Sequence, residues 1–365
     1  MGSGCSSSSS APSTDGEAVA GRGPYSMDRG PFPHVVASSG FASEKNTHRS
    51  ALPNEDRCVT EKILRGVYMY SVMDGHKGPM CSDFLADRLH GYIKKQPGME
   101  VLADELRDPR QALIDGYLEA DVQFLKDMDA MEKQTVMVDG VEIDISADLR
   151  NSGSTACTAI IVGNELYVAN VGDSRCVICR SGLSLNLTVD QNCDRVDEKK
   201  RVEEAGAMVI RGRVFGDLAV TRSIGDRGFK FTKEEADTKE GDVGYHSPVA
   251  YLNDPMHAKP SVIAVPEIEV HTIKPVDEFM VLASDGLFNA LSNMEVVTFV
   301  HEYFAHPPTP ALRAGDDVML CRAAAAALVD EAVLKKSHHD DITAVVVKLQ
   351  MKAVGKSFVL APVSL

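Results

Sequence analysis

The chain has 365 residues, of which 44% are hydrophobic, so it can bury a large core in one large domain or two smaller ones. Its formal net charge of −15 argues against a nucleic-acid-binding protein, because phosphate backbones select clustered Lys and Arg. The sequence lacks an apolar run of the roughly 20 residues that span a bilayer and a secretory signal, and its eight cysteines form no framework, so we expect a cytoplasmic protein.

The first predicted segment is a disordered tail over residues 1–45, which is rich in Ser, Gly and Pro and poor in residues that could form a core. It begins MGSGCS, an acceptor pattern for N-myristoylation at Gly2, with Cys5 placed for palmitoylation. Acylation would hold the protein at the cytoplasmic face of a membrane as a peripheral protein. The alternative is an unmodified tail, because short motifs also arise by chance.

Helical and strand periods alternate in the rest of the chain. Apolar residues recur at helical spacing over 84–93 and 113–125, and composition predicts a helix over 323–333. The run ACTAIIVGNELYVANV predicts two strands joined by a two-residue turn at Gly163-Asn164. Further strands are predicted at VYMYSVM, EFMVLAS and ITAVVVKL. Strands in all parts of the chain, with helices between them, predict an α+β sandwich.

Carboxylates stand at the ends of several predicted strands. Asp74 ends YSVMD, Asp285 ends FMVLASD, Asp340 and Asp341 precede ITAVVV, and Asp56 lies in NEDR. Taken singly, each is more often a turn residue that hydrogen-bonds its own backbone. Converging carboxylates would repel one another unless a cation neutralised them, and Mg²⁺ and Mn²⁺ prefer oxygen ligands. A two-metal hydrolytic centre is therefore the hypothesis, although periodicity alone does not show convergence.

Two other clusters have the composition of metal sites. CVIC, from Cys176 to Cys179, has the spacing of a redox or zinc motif. Residues three apart on a strand point to opposite faces, which argues against joint chelation. His338 and His339 precede Asp340, but adjacent imidazoles in a turn are more often solvated. Neither cluster is assigned to the site.

Seven motifs follow one another in the order NEDR, DGHKG, SGSTACTAII, VANVGDSR, LAVTRSIGD, LASDGLFNALS and DDITAVVV. In this order and approximate spacing they resemble the metal-dependent protein serine/threonine phosphatase family, type 2C. The resemblance implies a catalytic domain over 46–352, an enlarged flap at about 229–260 and a C-terminal tail over 353–365. It also implies a central β-sandwich of two antiparallel sheets flanked by α-helices, in four layers αββα, which agrees with the predicted α+β class.

The same resemblance implies hydrolysis of phosphoserine and phosphothreonine on phosphoprotein substrates by a monomer with two Mg²⁺ or Mn²⁺ ions and a weak third. Asp74 would bridge both metals, the Gly75 carbonyl would ligate one, and Asp285 and Asp340 would complete the second. Glycine suits position 75 because its carbonyl must approach the cation closely. The residues expected to hydrogen-bond these ligands or to hold the weak third ion are Glu55, Thr155, Asp173, Asn289 and Asp341.

Two further residues are assigned to catalysis by resemblance. Asp56 would orient a metal-bound water, and the water bridging the metals would attack phosphorus in line. His76 would protonate the leaving seryl or threonyl oxygen, since an ordinary histidine pKa of ~6.5 suits proton transfer near neutrality. The alternative for an isolated histidine is a polar surface residue.

The sequence departs from the family pattern at three positions. Ala51 stands where many members carry a phosphate-binding arginine, and Arg49 or Arg57 are the candidates to replace it. Lys77 replaces a glycine of the usual DGHGG, where it would either assist phosphate binding or be solvated. Asn289 replaces the final aspartate of DGLWD, and this loss of charge should weaken a third metal site.

The competing function is a pseudophosphatase, which would use the same fold as a binding or scaffolding module. The predicted ligand set favours an enzyme, because Asp56, Asp74, Asp285 and Asp340 are all present. A metal nuclease built from the same carboxylates is disfavoured by the acidic charge and by the motifs.

Overall fold

The elements of the fold lie in residues 34–45, 53–102, 105–131, 135–138, 141–144, 147–230, 260–314, 316–335 and 340–352, which a computed structural model describes. The strands are β1 (His34–Glu44), β2 (Arg57–Leu64), β3 (Val67–Met73), β4 (Gly75–His76), β5 (Val101–Leu102), β6 (Glu105–Leu106), β7 (Thr135–Val138), β8 (Val141–Asp144), β9 (Gly153–Ser154), β10 (Ala156–Val162), β11 (Glu165–Val171), β12 (Arg175–Arg180), β13 (Leu183–Asn186), β14 (Val209–Ile210), β15 (Arg213–Val214), β16 (Ile224–Gly225), β17 (Glu267–Thr272), β18 (Asp277–Ala283) and β19 (Ile342–Lys352). The helices are α1 (Met80–Lys94), α2 (Pro109–Asp129), α3 (Ala147–Arg150), α4 (Val196–Glu204), α5 (Asp285–Ala290), α6 (Asn293–Ala305), α7 (Pro310–Ala314) and α8 (Asp317–Lys335), with 3₁₀ turns at Pro97–Met99 and Arg227–Phe229.

Local sequence signals set where these elements begin and turn. Helix α2 begins after Asp108, whose side chain accepts a hydrogen bond from the Gln111 N–H at 3.0 Å, and Pro109 occupies its first turn. Gly163, with φ of +63°, and Asn164 form the predicted turn between β10 and β11. The predicted segments are confirmed as parts of α1 (84–93), α2 (113–125), α8 (323–333), β3, β18 and β19.

Two five-stranded sheets form the centre of the structure. The first sheet has the order β1-β19-β18-β12-β13, and the second has the order β17-β11-β10-β3-β2. Every neighbouring pair in both sheets is antiparallel. Antiparallel pairing places the end of one strand beside the start of its neighbour, so residues distant in sequence meet at the sheet ends.

Three apolar cores define the layers. The inter-sheet core combines residues of both sheets, including Val72, Cys157, Ile178, Met280 and Val345. The other face of the second sheet packs against α1 and α2, and the other face of the first sheet packs against α5, α6 and α8. The predicted four-layer αββα sandwich is therefore confirmed.

The predicted boundary of the N-terminal tail is wrong, because His34–Glu44 forms β1 inside the first sheet. All of β1 pairs with β19, from His34 opposite Lys352 to Glu44 opposite Ile342. A Cβ added to Gly40 would lie 2.1 Å from the backbone nitrogen of Arg322, so this small residue lets the strand lie close to α8. The segment has the composition of a disordered tail because its residues are mostly small or polar. Its stability as a strand comes from pairing with β19, about 300 residues away in the chain.

Other predicted segments lie wholly or mostly outside the described residues: 1–33 of the tail, 231–259 of the flap and 353–365 at the C-terminus. None of the helices within the described ranges is long and apolar enough to cross a membrane.

Candidate active site

Strand topology brings three acidic residues to one end of the sandwich. Strands β3 and β11 are both antiparallel to β10 and hence parallel to each other, so Asp74 and Asp173 follow strand ends on the same side. Asp285 begins α5 after the end of β18. One carboxylate oxygen from each of Asp74, Asp173 and Asp285 lies within 4.8 Å of the others. We refer to these three residues as the carboxylate cluster.

Burial and mutual repulsion make ionisation of this cluster costly. Burial raises the pKa of Asp173 to about 7, and the neighbouring charge of Asp285 adds to the rise. Burial also raises the pKa of Asp74 well above its ordinary value, with further contributions from Asp56 and Asp285. The pKa of Asp285 is raised mainly by burial. Burial and like charges thus favour the protonated forms of these carboxyl groups, and a bound cation would offset this effect.

The donor atoms of the cluster suit a hard divalent cation. Two buried carboxylate oxygens, Oδ1 of Asp56 and Oδ1 of Asp285, accept no hydrogen bond from the described residues. An unpaired buried oxygen is costly, and Mg²⁺ or Mn²⁺ would satisfy such oxygens with the ligand type that these ions prefer. The residues present thus fit the metal that the sequence predicts.

Asp56 lies behind the cluster and is 4% exposed. The Ser284 hydroxyl donates a hydrogen bond to its Oδ2 at 2.7 Å and accepts one from the Thr343 N–H at 3.0 Å. Burial raises the pKa of Asp56 to about 7, although the Ser284 hydrogen bond opposes the rise. These contacts join Asp56 to the end of β18 and the start of β19.

Asp340, which is predicted as a metal ligand, lies outside the carboxylate cluster. It is exposed, and its Oδ1 accepts a hydrogen bond from the Asp341 N–H at 2.9 Å. Its charge still contributes to the raised pKa of Asp74. Asp173, which was expected at a weaker site, instead belongs to the cluster. The structure therefore places Asp173 in the carboxylate cluster and Asp340 outside it.

Two predicted supporting residues connect the loops around the site. Oδ2 of Asp341 accepts a hydrogen bond from the Glu55 N–H at 2.7 Å, and Oε1 of Glu55 accepts one from the Gly78 N–H at 2.7 Å. Both carboxylates are thus engaged with backbone N–H groups. They link the segment that bears Asp56 to the loop after His76.

Gly75 and Thr155 fix the backbone around Asp74. A Cβ on Gly75 would lie 2.5 Å from the Glu55 carbonyl and 2.7 Å from the Ser82 hydroxyl, so close packing already requires glycine here. Thr155 Oγ1 accepts a hydrogen bond from the Asp74 N–H at 3.1 Å, and its N–H donates to the Asp74 carbonyl at 2.9 Å. The prediction that Thr155 bonds the carboxylates is corrected: these bonds position Asp74 through its main chain.

His76 is paired with a buried carboxylate. Its Nε2 lies 2.7 Å from Oδ2 of Asp226, which also accepts a hydrogen bond from the Ser223 hydroxyl at 2.6 Å. Burial lowers the pKa of His76, but the charge and hydrogen bond of Asp226 outweigh it, so the pKa is raised. A Cβ on Gly153 would lie 2.3 Å from Asp226 Oδ2 and 2.5 Å from His76 Nε2, which leaves room only for glycine.

Sequence analysis missed the role of Asp226. The residue ends the motif LAVTRSIGD, which gave no sign of a partner 150 positions away. A carboxylate following Gly225 was the available signal, and the left-handed backbone of Asp226, with φ of +53°, sets its direction. The pairing with His76 depends on β4 and β16 both joining β9.

Residues 41–341 match the sequence profile of protein phosphatase 2C. This chain belongs to the protein phosphatase 2C family. Probable protein phosphatase 2C 45 of Oryza sativa subsp. japonica is 30% identical over 305 residues, which cover 82% of this chain and 86% of that protein. Probable protein phosphatase 2C member 13, mitochondrial, of the same organism is 32% identical over 71% of this chain and 58% of its own. The matches span only 53% to 60% of the length of four such relatives.

Solved structures show the same fold. The serine-threonine phosphatase 2C from Toxoplasma gondii superposes with a TM-score of 0.62 at 18% identity, covering 88% of this chain and 98% of that one. A C. elegans sex determining protein superposes with a TM-score of 0.57 at 20% identity, covering 88% of this chain and 66% of that one. At these identities the likeness concerns the fold alone.

Asn289 departs from the protein phosphatase 2C pattern at the edge of the cluster. Its Nδ2 donates a hydrogen bond to Oδ2 of Asp285 at 3.0 Å. An aspartate at this position would place a second negative charge beside Asp285, whereas the amide offers a donor to it.

Lys77 and Arg57, the two cations considered for phosphate binding, are both engaged in ion pairs. Lys77 Nζ lies 2.6 Å from Oδ2 of Asp217 and 5.1 Å from the ring centroid of Phe229. Arg57 donates to the Asp83 carboxylate at 2.6 Å and to two main-chain carbonyls of its own loop. The Lys77 ammonium is thus held next to Asp217, and the Arg57 guanidinium is held next to α1. Positions 49 and 51 lie outside the described residues.

Cys176 and Cys179 of the CVIC motif lie on opposite faces of the first sheet, as the strand alternation predicts. Cys176 belongs to the inter-sheet core, and Cys179 belongs to the core beneath α6 and α8. The two thiols therefore lie on opposite faces of the first sheet. Residues 338 and 339 lie outside the described part of the chain.

Proposed function

We propose that the protein is a metal-dependent phosphatase that hydrolyses phosphoserine and phosphothreonine on protein substrates. The observation that supports this most strongly is the carboxylate cluster, which lies near a histidine whose pKa is raised by a buried aspartate. Membership in the protein phosphatase 2C family supports the same reaction class. The proposal names no particular phosphoprotein.

Two Mg²⁺ or Mn²⁺ ions would be held by Asp74, the Gly75 carbonyl, Asp285 and Asp340, with Asp173 contributing a further carboxylate. When bound, the ions supply an acidified attacking water and positive charge for the phosphoryl oxygens. Asp56 would orient the attacking water, for which its otherwise unbonded Oδ1 is available.

His76 would donate a proton to the leaving seryl or threonyl oxygen. Because Nε2 is bonded to Asp226, the proton would come from Nδ1. Asp226 raises the pKa of the imidazole, which favours the protonated form that can donate a proton. Asp226 would therefore act as a positioning residue, with Ser223 fixing its carboxylate.

A third ion would bind weakly beside Asp173 and Asp285. Asn289 contributes an amide where a carboxylate would add a negative charge, and the affinity of hard cations depends on ligand charge. This position would therefore fill only at higher metal concentration.

The protein would work in the cytoplasm as a monomer, partly held at a membrane surface by acyl groups. Gly2 and Cys5, which lie outside the described residues, are the proposed sites of myristoylation and palmitoylation. A single myristoyl chain binds membranes with only about 10⁴ M⁻¹, so the second acyl group is needed for a stable anchor.

Hydrolysis of a phosphothreonine peptide and of p-nitrophenyl phosphate tests the activity. We expect turnover with Mn²⁺ or Mg²⁺, none with chelator, and recovery when metal is restored. Asp74→Ala should abolish turnover while its thermal unfolding remains cooperative. Asp127→Ala, which changes a half-exposed aspartate of α2, is the matched control and should retain turnover. Full turnover in folded Asp74→Ala, or none under any metal condition, would overturn the proposal, and the second result would favour the pseudophosphatase.

A further inference from the structure

A second group of metal-ligating side chains lies at the other end of the first sheet. Cys179 of β12, Glu278 of β18 and His301 of α6 each present one ligand atom, and these atoms lie within 4.8 Å of one another. Glu278 is six residues before Ser284 along β18, which corresponds to ~20 Å of extended strand. The group is therefore remote from the carboxylate cluster.

An irregularity in strand pairing brings Glu278 to this group. Cys179 pairs with Phe279, whereas the next residue, Arg180, pairs with Asp277, so Glu278 is an extra residue in β18. In a regular strand Glu278 would point away from the face that Cys179 and Phe279 share. A β-bulge redirects side chains, and here it allows Glu278 to contact His301 on that face.

One ligand of this group is buried, and the other two are accessible to solvent. Cys179 is buried, whereas the side chains of Glu278 and His301 are 37% and 41% exposed. Nδ1 of His301 lies 2.8 Å from Oε2 of Glu278, and a Glu278 carboxylate oxygen also lies within 4.8 Å of the Cys179 sulfur. An ion could enter from solvent and keep a water as its fourth ligand.

We propose that Cys179, Glu278 and His301 bind Zn²⁺. Thiolate, imidazole and carboxylate are the ligands typical of zinc, and the sulfur disfavours Mg²⁺ and Mn²⁺. Ligand atoms around a tetrahedral zinc ion are about 3.3–3.8 Å apart, given bonds of about 2.0–2.3 Å, so the exposed rim side chains need to move only slightly. Coordination displaces the thiol proton to solvent and leaves the imidazole proton on Nε2.

A third group of possible metal ligands contains only carboxylates, and three arginines already neutralise it. The carboxylates are Asp197, Glu198 and Glu267, and the arginines are Arg195, Arg201 and Arg222. His90 and Glu61 form a surface pair at 3.4 Å and serve as a matched histidine–glutamate control.

Cobalt substitution distinguishes a thiolate site from the oxygen site. The full chain is saturated with Mg²⁺ and then titrated with Co²⁺. We expect a thiolate-to-cobalt charge-transfer band with tetrahedral d–d bands, which Zn²⁺ displaces at one equivalent per chain. Both signals should be lost in Cys179→Ser and in His301→Gln and retained in His90→Gln. His301→Gln changes an exposed helix position and alone decides the question if Cys179→Ser fails to fold. Absence of the band, or its survival in His301→Gln, would overturn the proposal.

Discussion

Asp56→Asn should stabilise the metal-free protein at high pH, because it removes a buried charge that the fold tolerates poorly. Asp56 is 4% exposed, and burial raises its pKa from the ordinary 3.8 to about 7. Its charged form is therefore less stable in the folded protein than in the unfolded chain. The carboxylate is retained in spite of this cost, which is consistent with the proposed catalytic role.

The direction of the pH dependence follows from proton binding. Below about pH 4 both states are protonated and the substitution removes no charge. Between the two pKa values only the unfolded chain is ionised, so each pH unit lowers the free energy of unfolding of the unsubstituted protein by about 1.4 kcal/mol. Above about pH 7 the carboxyl is ionised in both states, and the free energy of unfolding has fallen by its full amount, about 4 kcal/mol. The uncharged amide that replaces the carboxyl also changes the free energy of unfolding, by an amount that does not vary with pH.

Urea unfolding in chelator at about pH 4.5 and about pH 8 measures this effect. We expect the stability of Asp56→Asn relative to the unsubstituted protein to increase by about 3 kcal/mol between these conditions. Asp277→Asn is the control with the opposite sign, because Arg180 and His271 offset burial and hold the pKa of Asp277 below its ordinary value. It should destabilise the protein at both pH values. A stability difference for Asp56→Asn that does not change with pH would refute the reasoning.

Four further outcomes are expected. Asp226→Asn should lower the pKa of His76, so the fall in turnover on the alkaline side should move to lower pH; an unchanged profile would exclude the pairing from catalysis. Gly153→Ala should reduce turnover at least 10-fold in folded protein, on the scale of lost general acid catalysis, and wild-type turnover would contradict the packing argument. Asn289→Asp should shift the activity-versus-Mn²⁺ curve to lower concentration, whereas superimposable curves would count against a third ion. Gly2→Ala should move a membrane-bound fraction into solution, and an intact mass showing unmodified Gly2 in the native protein would count against acylation.

Elements with local signals were predictable from the amino-acid sequence. Helical spacing located α1 and α2, strand-favouring composition located β3, β18 and β19, and Gly163-Asn164 marked a hairpin turn. These features are readable because a period of 3.6 or 2 residues reflects which side of an element meets the core. The motifs also placed Asp74 and Asp285 at strand ends, because the residue that leaves a strand is fixed by where its apolar run stops.

Contacts between residues distant in the chain depend on how the strands pair, which local signals do not encode. Composition assigned His34–Glu44 to a tail, although pairing with β19 makes it a strand. The histidine partner Asp226 and the cluster member Asp173 depended on how β16 and β11 are arranged beside other strands. Glu278 reaches His301 because one register shift reverses the face that alternation predicts. Each of these contacts joins segments far apart in the chain, and no local period records the pairing that brings them together.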